Sequence, residues 1–271
     1  MPGPRSIFIS GGGSGIGRAI ARHFAARGWF VGLGDINPAG MAGTANALPQ
    51  GAFSKHPLDV CSAEQWRLAL ADFAKAAGGR IDVVVNNAGI SHGGLLTELS
   101  EAQIDRVIDV NFRGSVHGAR AAYPWLKAGA PGSCLLNVAS ASAIYGVAGM
   151  AIYSATKFAL RSLTEALDVE WHADGIAVRS LMPSYIDTPM LLQPASPNST
   201  RTKRETVVAA GLELTPVEAV AEAAWDAVHG RKVHTLVGRT ARSIALLTRW
   251  APGLVRNRSL KVARERLARG G

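Results

Sequence analysis

Along the chain, short apolar runs alternate with longer stretches in which apolar residues recur every three or four positions. The runs are "SIFIS" (6–10), "FVGLGD" (30–35), "AFSKHPLD" (52–59), "IDVVVNN" (81–87), "SCLLNVAS" (133–140), "IAVRSLM" (176–182) and "HTLVG" (234–238). Several are apolar almost throughout, as strands buried on both faces should be. Between them, the periodicity predicts helices at roughly 15–27, 62–77, 100–128, 153–173 and 216–229. In the fourth, Phe158, Leu160, Leu163 and Leu167 form an apolar stripe, while Arg161, Glu165 and Asp168 are polar. Such alternation predicts right-handed βαβ units and an α/β architecture. The expected form is one doubly wound parallel sheet in three layers (α/β/α). The segment "QPASPNSTRTKR" (193–204) is polar and rich in Pro and Ser, so it reads as a long mobile loop within a substrate lid at 189–214.

Composition narrows the picture. With 48% hydrophobic and 18% charged residues in 271, the chain can bury a sizeable core, and wholesale disorder is excluded. Cys61 and Cys134 form no CxxC pair or disulfide framework, which favours a reducing compartment. The start "MPGPRSIFIS" lacks signal-peptide anatomy, and no run nears the roughly 18 apolar residues of a spanning helix, so a cytoplasmic location is expected. The seven histidines show no ligand spacing, and no metal is expected.

The stretch "SGGGSGIGRAIARHF" follows the first strand and opens the first helix. It departs from G-x-G-x-x-G, from the P-loop and from the serine-hydrolase elbow; what remains is Gly11, Gly15 and Gly17 as G-x-x-x-G-x-G. A strand-to-helix turn without β-carbons lets a pyrophosphate approach backbone amides at a helix N-terminus. The turn as a whole, with Gly13, Ser14 and Ile16, is the expected cradle of a Rossmann-type dinucleotide site. Asp35 ends the second strand, 20 residues after Gly15, where an acid hydrogen-bonds the adenosine ribose and repels a 2′-phosphate. NAD is therefore expected over NADP; Ile36 adds no charge, and Arg18 is the one nearby cation.

"YSATK" places Tyr153 four residues before Lys157, on one face of a helix. Either this is a surface coincidence, or an ammonium is set to lower a tyrosine. Free tyrosine titrates near 10, so a phenolate base near neutrality needs roughly 3–4 kcal/mol from its surroundings.

Together, "SGGGSGIG" (10–17), Asp35, "DV" (59–60), "NNAG" (86–89), Asn111, Ser140, "YSATK" (153–157) and "PSYIDT" (183–188) resemble, in order and spacing, the short-chain dehydrogenase/reductase family over roughly residues 5–238. The resemblance implies an NAD-dependent oxidoreductase that transfers hydride between a secondary alcohol and its ketone. It makes Tyr153 the general acid/base, tuned by Lys157, which would also hold the nicotinamide ribose. Ser140 would hydrogen-bond the substrate oxygen, with Ser142 a near neighbour on the substrate side. Asn111 would sit at an irregularity in a helix and hold a water leading to Lys157. Asp59 and Val60 would meet the adenine, Asn87, Ala88 and Gly89 the adenosine side, and Pro183, Ile186 and Thr188 the nicotinamide end. The family usually has Pro-Gly where this chain has Pro183-Ser184, so Ser184 would face cofactor or substrate. A homo-oligomer is implied, dimer or tetramer, with a homotetramer expected. The alternatives are an NADPH-dependent carbonyl reductase and an idle dinucleotide-binding protein. "SHGGLL" (91–96) resembles the oxyanion loop of esterases but has no elbow serine, so it reads as a substrate-side loop, with His92 a loop histidine.

Net charge is +9, concentrated in residues 240–271, which carry eight basic residues and one acid. This segment is read as a basic amphipathic extension beyond a catalytic domain at 1–239. Pro252-Gly253 should divide it into two helices; in the second, Leu260, Ala263 and Leu267 share a face. It either packs on its own subunit or a partner, or makes peripheral contact with an anionic membrane. Nucleic-acid binding is not expected, for want of aromatic interleaving.

Overall fold

A computed structural model describes residues 3–196 and 199–268, with side chains as far as Leu260. Seven strands form one parallel sheet: β1 (Ser6–Ser10), β2 (Phe30–Asp35), β3 (Phe53–Pro57), β4 (Val83–Asn86), β5 (Ser133–Val138), β6 (Ile176–Pro183) and β7 (His234–Val237). Their order is β3-β2-β1-β4-β5-β6-β7. The order reverses between β1 and β4, and a crevice opens there above the strands' C-terminal ends.

Helices cover both faces. On one face α1 (Gly15–Ala25) packs against α8 (Val217–His229), with Ile20, Phe24 and Val220 buried on the sheet. On the other lie α3 (Ala63–Ala76), α5 (Gly114–Gly129) and α6 (Ala151–Glu170), which bury Trp66, Phe73, Leu126 and Leu167. The result is the expected Rossmann-like three-layer fold.

Local differences have physical causes. Helix α2 (Pro38–Ala45) was not foreseen; Asn37 caps it by accepting from Gly40 N at 3.0 Å, and Pro38 opens its first turn. The expected helix at 100–128 is α4 (Glu101–Ile108) and α5 joined by one π-helical turn, Asp109–Arg113. The third strand stops at Pro57 rather than 59, because Asp59 Oδ1 turns back to accept from Cys61 N at 3.0 Å.

The segment read as a loop to residue 204 is more ordered than that. Pro194 bridges Thr202, and α7 (Lys203–Ala209) begins with Thr202 and Glu205 capping each other's backbone. Two helices end the described chain, α9 (Arg239–Trp250) and α10 (Pro252–Ala268), broken at Ala251 as Pro252 requires. The face expected for Ala263 and Leu267 lies outside the described side chains.

Two glycines in β2 explain how α3 approaches the sheet. A β-carbon on Gly32 would lie 2.6 Å from the rings of Phe73 and Phe8, and one on Gly34 2.7 Å from Phe8. The space holds an aromatic cluster in which Phe8 meets Phe73 at 5.4 Å and Trp66 at 5.9 Å. Gly32→Ala should therefore destabilise the protein by about 1–3 kcal/mol through overpacking. Urea denaturation measures this; an unchanged midpoint would mean that the rings yield freely.

Candidate active site

At the switch point the ends of β1 and β4 are tied together by side chains. Ser10 Oγ donates to Val85 O at 3.1 Å and accepts from Asn87 N at 3.0 Å and Ala88 N at 3.2 Å. Asn87 Nδ2 donates to Ser10 O at 2.8 Å and Gly11 O at 3.2 Å. Helix α1 starts so close to this knot that a β-carbon on Gly17 would collide with Gly11 O and sit 2.7 Å from Asn87 Nδ2. Gly11 and Gly15 take φ of +66° and +48°, the left-handed region that glycine tolerates. No side chain caps the N-terminus of α1, and its first turn carries no acid. Its amides are thus available to an anion.

Asp35 faces the same turn. Its Oδ2 accepts from Gly13 N at 2.8 Å and its Oδ1 from Asn37 N at 2.9 Å. Arg18 is turned away into α2: it donates to Gly13 O at 2.6 Å and Thr44 Oγ1 at 3.0 Å. The carboxylate is fixed, and the one neighbouring cation is engaged elsewhere.

The expected site residues line one cleft of about 1080 Å³, except Gly13, Gly17 and Asn111, which support its walls. The glycine turn, Asp35, Ile36, Asp59 and Val60 form one end; Ser140, Ser142, Tyr153 and Lys157 lie deeper. Strand β5 ends at Val138, and Ser140 starts a short 3-10 turn, its Oγ accepting from Ser142 N at 3.1 Å. Tyr153, half-buried in the first turn of α6, lines the same cleft as Ser140.

Lys157 differs from expectation. It is 4% exposed, and its Nζ donates to Val138 O at 2.8 Å, lying 5.6 Å from the centre of the Tyr153 ring. Burial raises Tyr153 above its ordinary value near 10, and only the neighbouring Ser140 side chain acts against that. Burial also lowers Lys157 to about 8. The expected depression of Tyr153 by Lys157 is thus not found in this form; desolvation wins for both groups.

Asn111 differs as well. It falls in the π-helical turn, so the irregularity is where it was expected, but its amide is occupied by protein. Oδ1 accepts from Ile90 N at 2.8 Å, and Nδ2 donates to Ile90 O at 2.9 Å and Thr156 Oγ1 at 3.2 Å. Thr156 Oγ1 donates in turn to Tyr153 O at 2.8 Å. Asn111 therefore pins the chain after β4 to the start of α6, and Thr156, which sequence reasoning passed over, completes the link. Ser184 lines the cleft, but its buried Oγ has no hydrogen-bond partner and points toward Gly238, where a β-carbon would collide with it.

The "SHGGLL" loop lines the cleft through Ser91, not His92. Lys203, at the start of α7, donates to Ser91 Oγ at 2.8 Å, Ser91 O at 3.1 Å and Gln193 Oε1 at 3.0 Å. Gly93 allows this seat, since a β-carbon there would collide with Ala195 O. The capping signature Thr202-x-x-Glu205 was the available signal for Lys203's helix. A further surprise is the C-terminal segment: Thr240, Ser243, Ile244 and Leu247 of α9 and Leu254, Val255, Arg258 and Ser259 of α10 line the outer cleft.

The glycine turn, the uncapped helix and the fixed Asp35 fit a dinucleotide. Among the described residues there is no cluster of side chains that could hold a metal.

The family model of the short chain dehydrogenases matches residues 5–198. A 3-alpha-(or 20-beta)-hydroxysteroid dehydrogenase of Mycobacterium tuberculosis is 36% identical over 182 residues, covering 67% of this chain and 69% of that protein. The 3-ketoacyl-(acyl-carrier-protein) reductase of Brucella melitensis, solved with NADH, superposes with a TM-score of 0.75 at 28% identity, over 87% of this chain and 97% of that one. An alcohol dehydrogenase from Thermococcus sibiricus, solved with 5-hydroxy-NADP, gives 0.72 at 26% identity, over 86% and 95%.

A lysine lowered by folding makes stability depend on pH. Its contribution is fully present above about 10.5, where both states are neutral, and is lost as pH falls to about 8. Relative to Lys157→Met, the wild type should therefore gain about 3 kcal/mol between pH 8 and 10.5. Paired denaturation curves across that window measure this, and a constant difference would refute it.

Proposed function

Since the chain belongs to the short chain dehydrogenase family, we propose that it interconverts a bulky apolar secondary alcohol and its ketone with NAD(H). The observation that carries this reading is that Ser140, Tyr153 and Lys157 line one cleft together with the glycine turn and Asp35. When bound, the nicotinamide supplies or accepts the hydride.

The chain's own residues would then do the following. Amides at the start of α1 hold the pyrophosphate, and Asp35 holds the adenosine ribose. Ser140 donates to the substrate oxygen, where negative charge grows during reduction. Tyr153 gives that oxygen its proton and is left as phenolate; in oxidation the phenolate form takes the hydroxyl proton as the carbon–hydrogen bond breaks and the carbonyl forms. Lys157, fixed on Val138 O, keeps a cation beneath the phenol and reaches the nicotinamide ribose. Asn111 holds Ile90 and the start of α6 in register.

For the cofactor, the support is Asp35, fixed by two amides, beside an Arg18 already bonded to Gly13 O and Thr44. A 2′-phosphate would meet a carboxylate and no free arginine there. For substrate size and polarity, the support is the outer cleft, lined by Val147, Met150, Met190, Leu191, Val207 and Ile244. The hydroxysteroid dehydrogenase relative acts, by its name, on substrates of that bulk.

Two variants test the reading. Tyr153→Phe should lower turnover of any accepted ketone by at least about a thousandfold, at the scale of a lost general acid acting with its partner, while NAD binding stays within about twofold. Retained turnover would remove Tyr153 from the reaction. Asp35→Ala should weaken NADH more than NADPH, measured as KM for each; the opposite order would overturn the cofactor assignment.

A further inference from the structure

Helices α9 and α10 have two faces. One lines the outer cleft, through Ile244, Leu247 and Val255. The other is exposed and apolar: Leu246 is 63% exposed and Trp250 74%, and Leu254 at the cleft's rim is 63% exposed. Trp250 is the exposed one among six tryptophans; the other five are buried or half-buried. Around these residues stand Arg242, Arg249, Arg256 and Arg258, all exposed, and residues 240–260 contain no acid. The Arg249 guanidinium lies 5.5 Å from the Trp250 ring centre.

The segment at 190–208, which also lines the cleft, repeats the pattern. Next to the cleft-lining Leu191 and Val207, the lid exposes Leu192 (60%) and Val208 (53%), with Arg201 and Arg204 nearby in sequence. Exposed apolar side chains thus gather on the segments that border the outer cleft. Elsewhere, Leu68 on α3, Phe158 and Val169 on α6, and Leu95 and Leu96 of the 91–96 loop are also exposed. An apolar group ringed by basic residues is what an interfacial protein presents to lipid: tryptophan and leucine enter the headgroup layer while arginines meet phosphates. No helix among the described residues is long and apolar enough to cross a membrane.

We propose that α9 and α10 dock the protein onto an anionic bilayer surface, with the mouth of the cleft toward the lipid. The tail's excess of seven positive charges is the complement of such a surface. Docking does not depend on the proposed reaction. If that reaction also holds, a lipid-dissolved alcohol or ketone enters the cleft without crossing water.

The test is flotation of the full chain with vesicles of phosphatidylcholine containing about one-third phosphatidylglycerol, against phosphatidylcholine alone. The protein should bind the anionic vesicles at least about tenfold more strongly, release them at high salt, and show a blue shift of tryptophan emission on binding. The paired variant Leu246→Asp and Trp250→Asp should lose both binding and shift; neither residue lines the cleft, so turnover of a water-soluble ketone should be unchanged. Arg249→Gln with Arg256→Gln should weaken binding without touching the apolar group, which keeps the idea testable if the first pair misfolds. Failure of the wild type to bind anionic vesicles at low salt would overturn the proposal. So would equal binding by the aspartate pair, or a drop in its mass on gel filtration, which would make the patch a contact between copies of this chain. Absence of turnover with intact flotation would instead count against the reaction alone.

Discussion

Everything at the site hangs on how closely two backbones approach at the switch point. Strands β1 and β4 run side by side, yet their connections leave on opposite faces of the sheet. The crevice stays defined because Ser10 and Asn87 hold both chain ends in a network of five hydrogen bonds. The absence of a β-carbon at Gly17 lets α1 begin against that network. A buried polar network of this kind fixes geometry because each member, left unpaired, would cost roughly 1–3 kcal/mol. The helix end, the Asp35 carboxylate and the floor of the cleft all take their positions from it.

A second chain of bonds runs from the end of β4 to Tyr153. Asn111 grips Ile90 by both its amide and its carbonyl and passes through Thr156 to the backbone of Tyr153. The π-helical turn is what brings a 0%-exposed asparagine into that position. The chain after β4 and the backbone of Tyr153 are thereby tied together. The substrate side is built from separate pieces, the lid and α9–α10, which meet it through fewer and longer-range contacts such as those of Lys203.

The sheet and its main helices were legible in the sequence because buried parallel strands are apolar almost throughout, and turns such as "GGGSG" mark their ends. Motif order pointed to residues most of which the fold gathers along one cleft. Helix α2 was hidden by Gly40 and Gly43, which blur its period although Asn37-Pro38 announces its start. Helix α7 was hidden by the polar run before it. The balance at Lys157 and Tyr153 was not readable in any motif, since "YSATK" gives the spacing but not the desolvation that tertiary burial imposes on each group. Asn111 shows the same limit: its place was foreseen, its partners Ile90 and Thr156 were not.

The position of α9 and α10 has a practical side. Strand β1 begins at the strands' N-terminal ends, away from the cleft above their C-terminal ends, whereas the start of the last described helix borders the cleft. A reporter inserted between α9 and α10 would therefore stand at the mouth of the cleft, whereas one inserted at Arg27–Gly28, ahead of β2, would lie away from it.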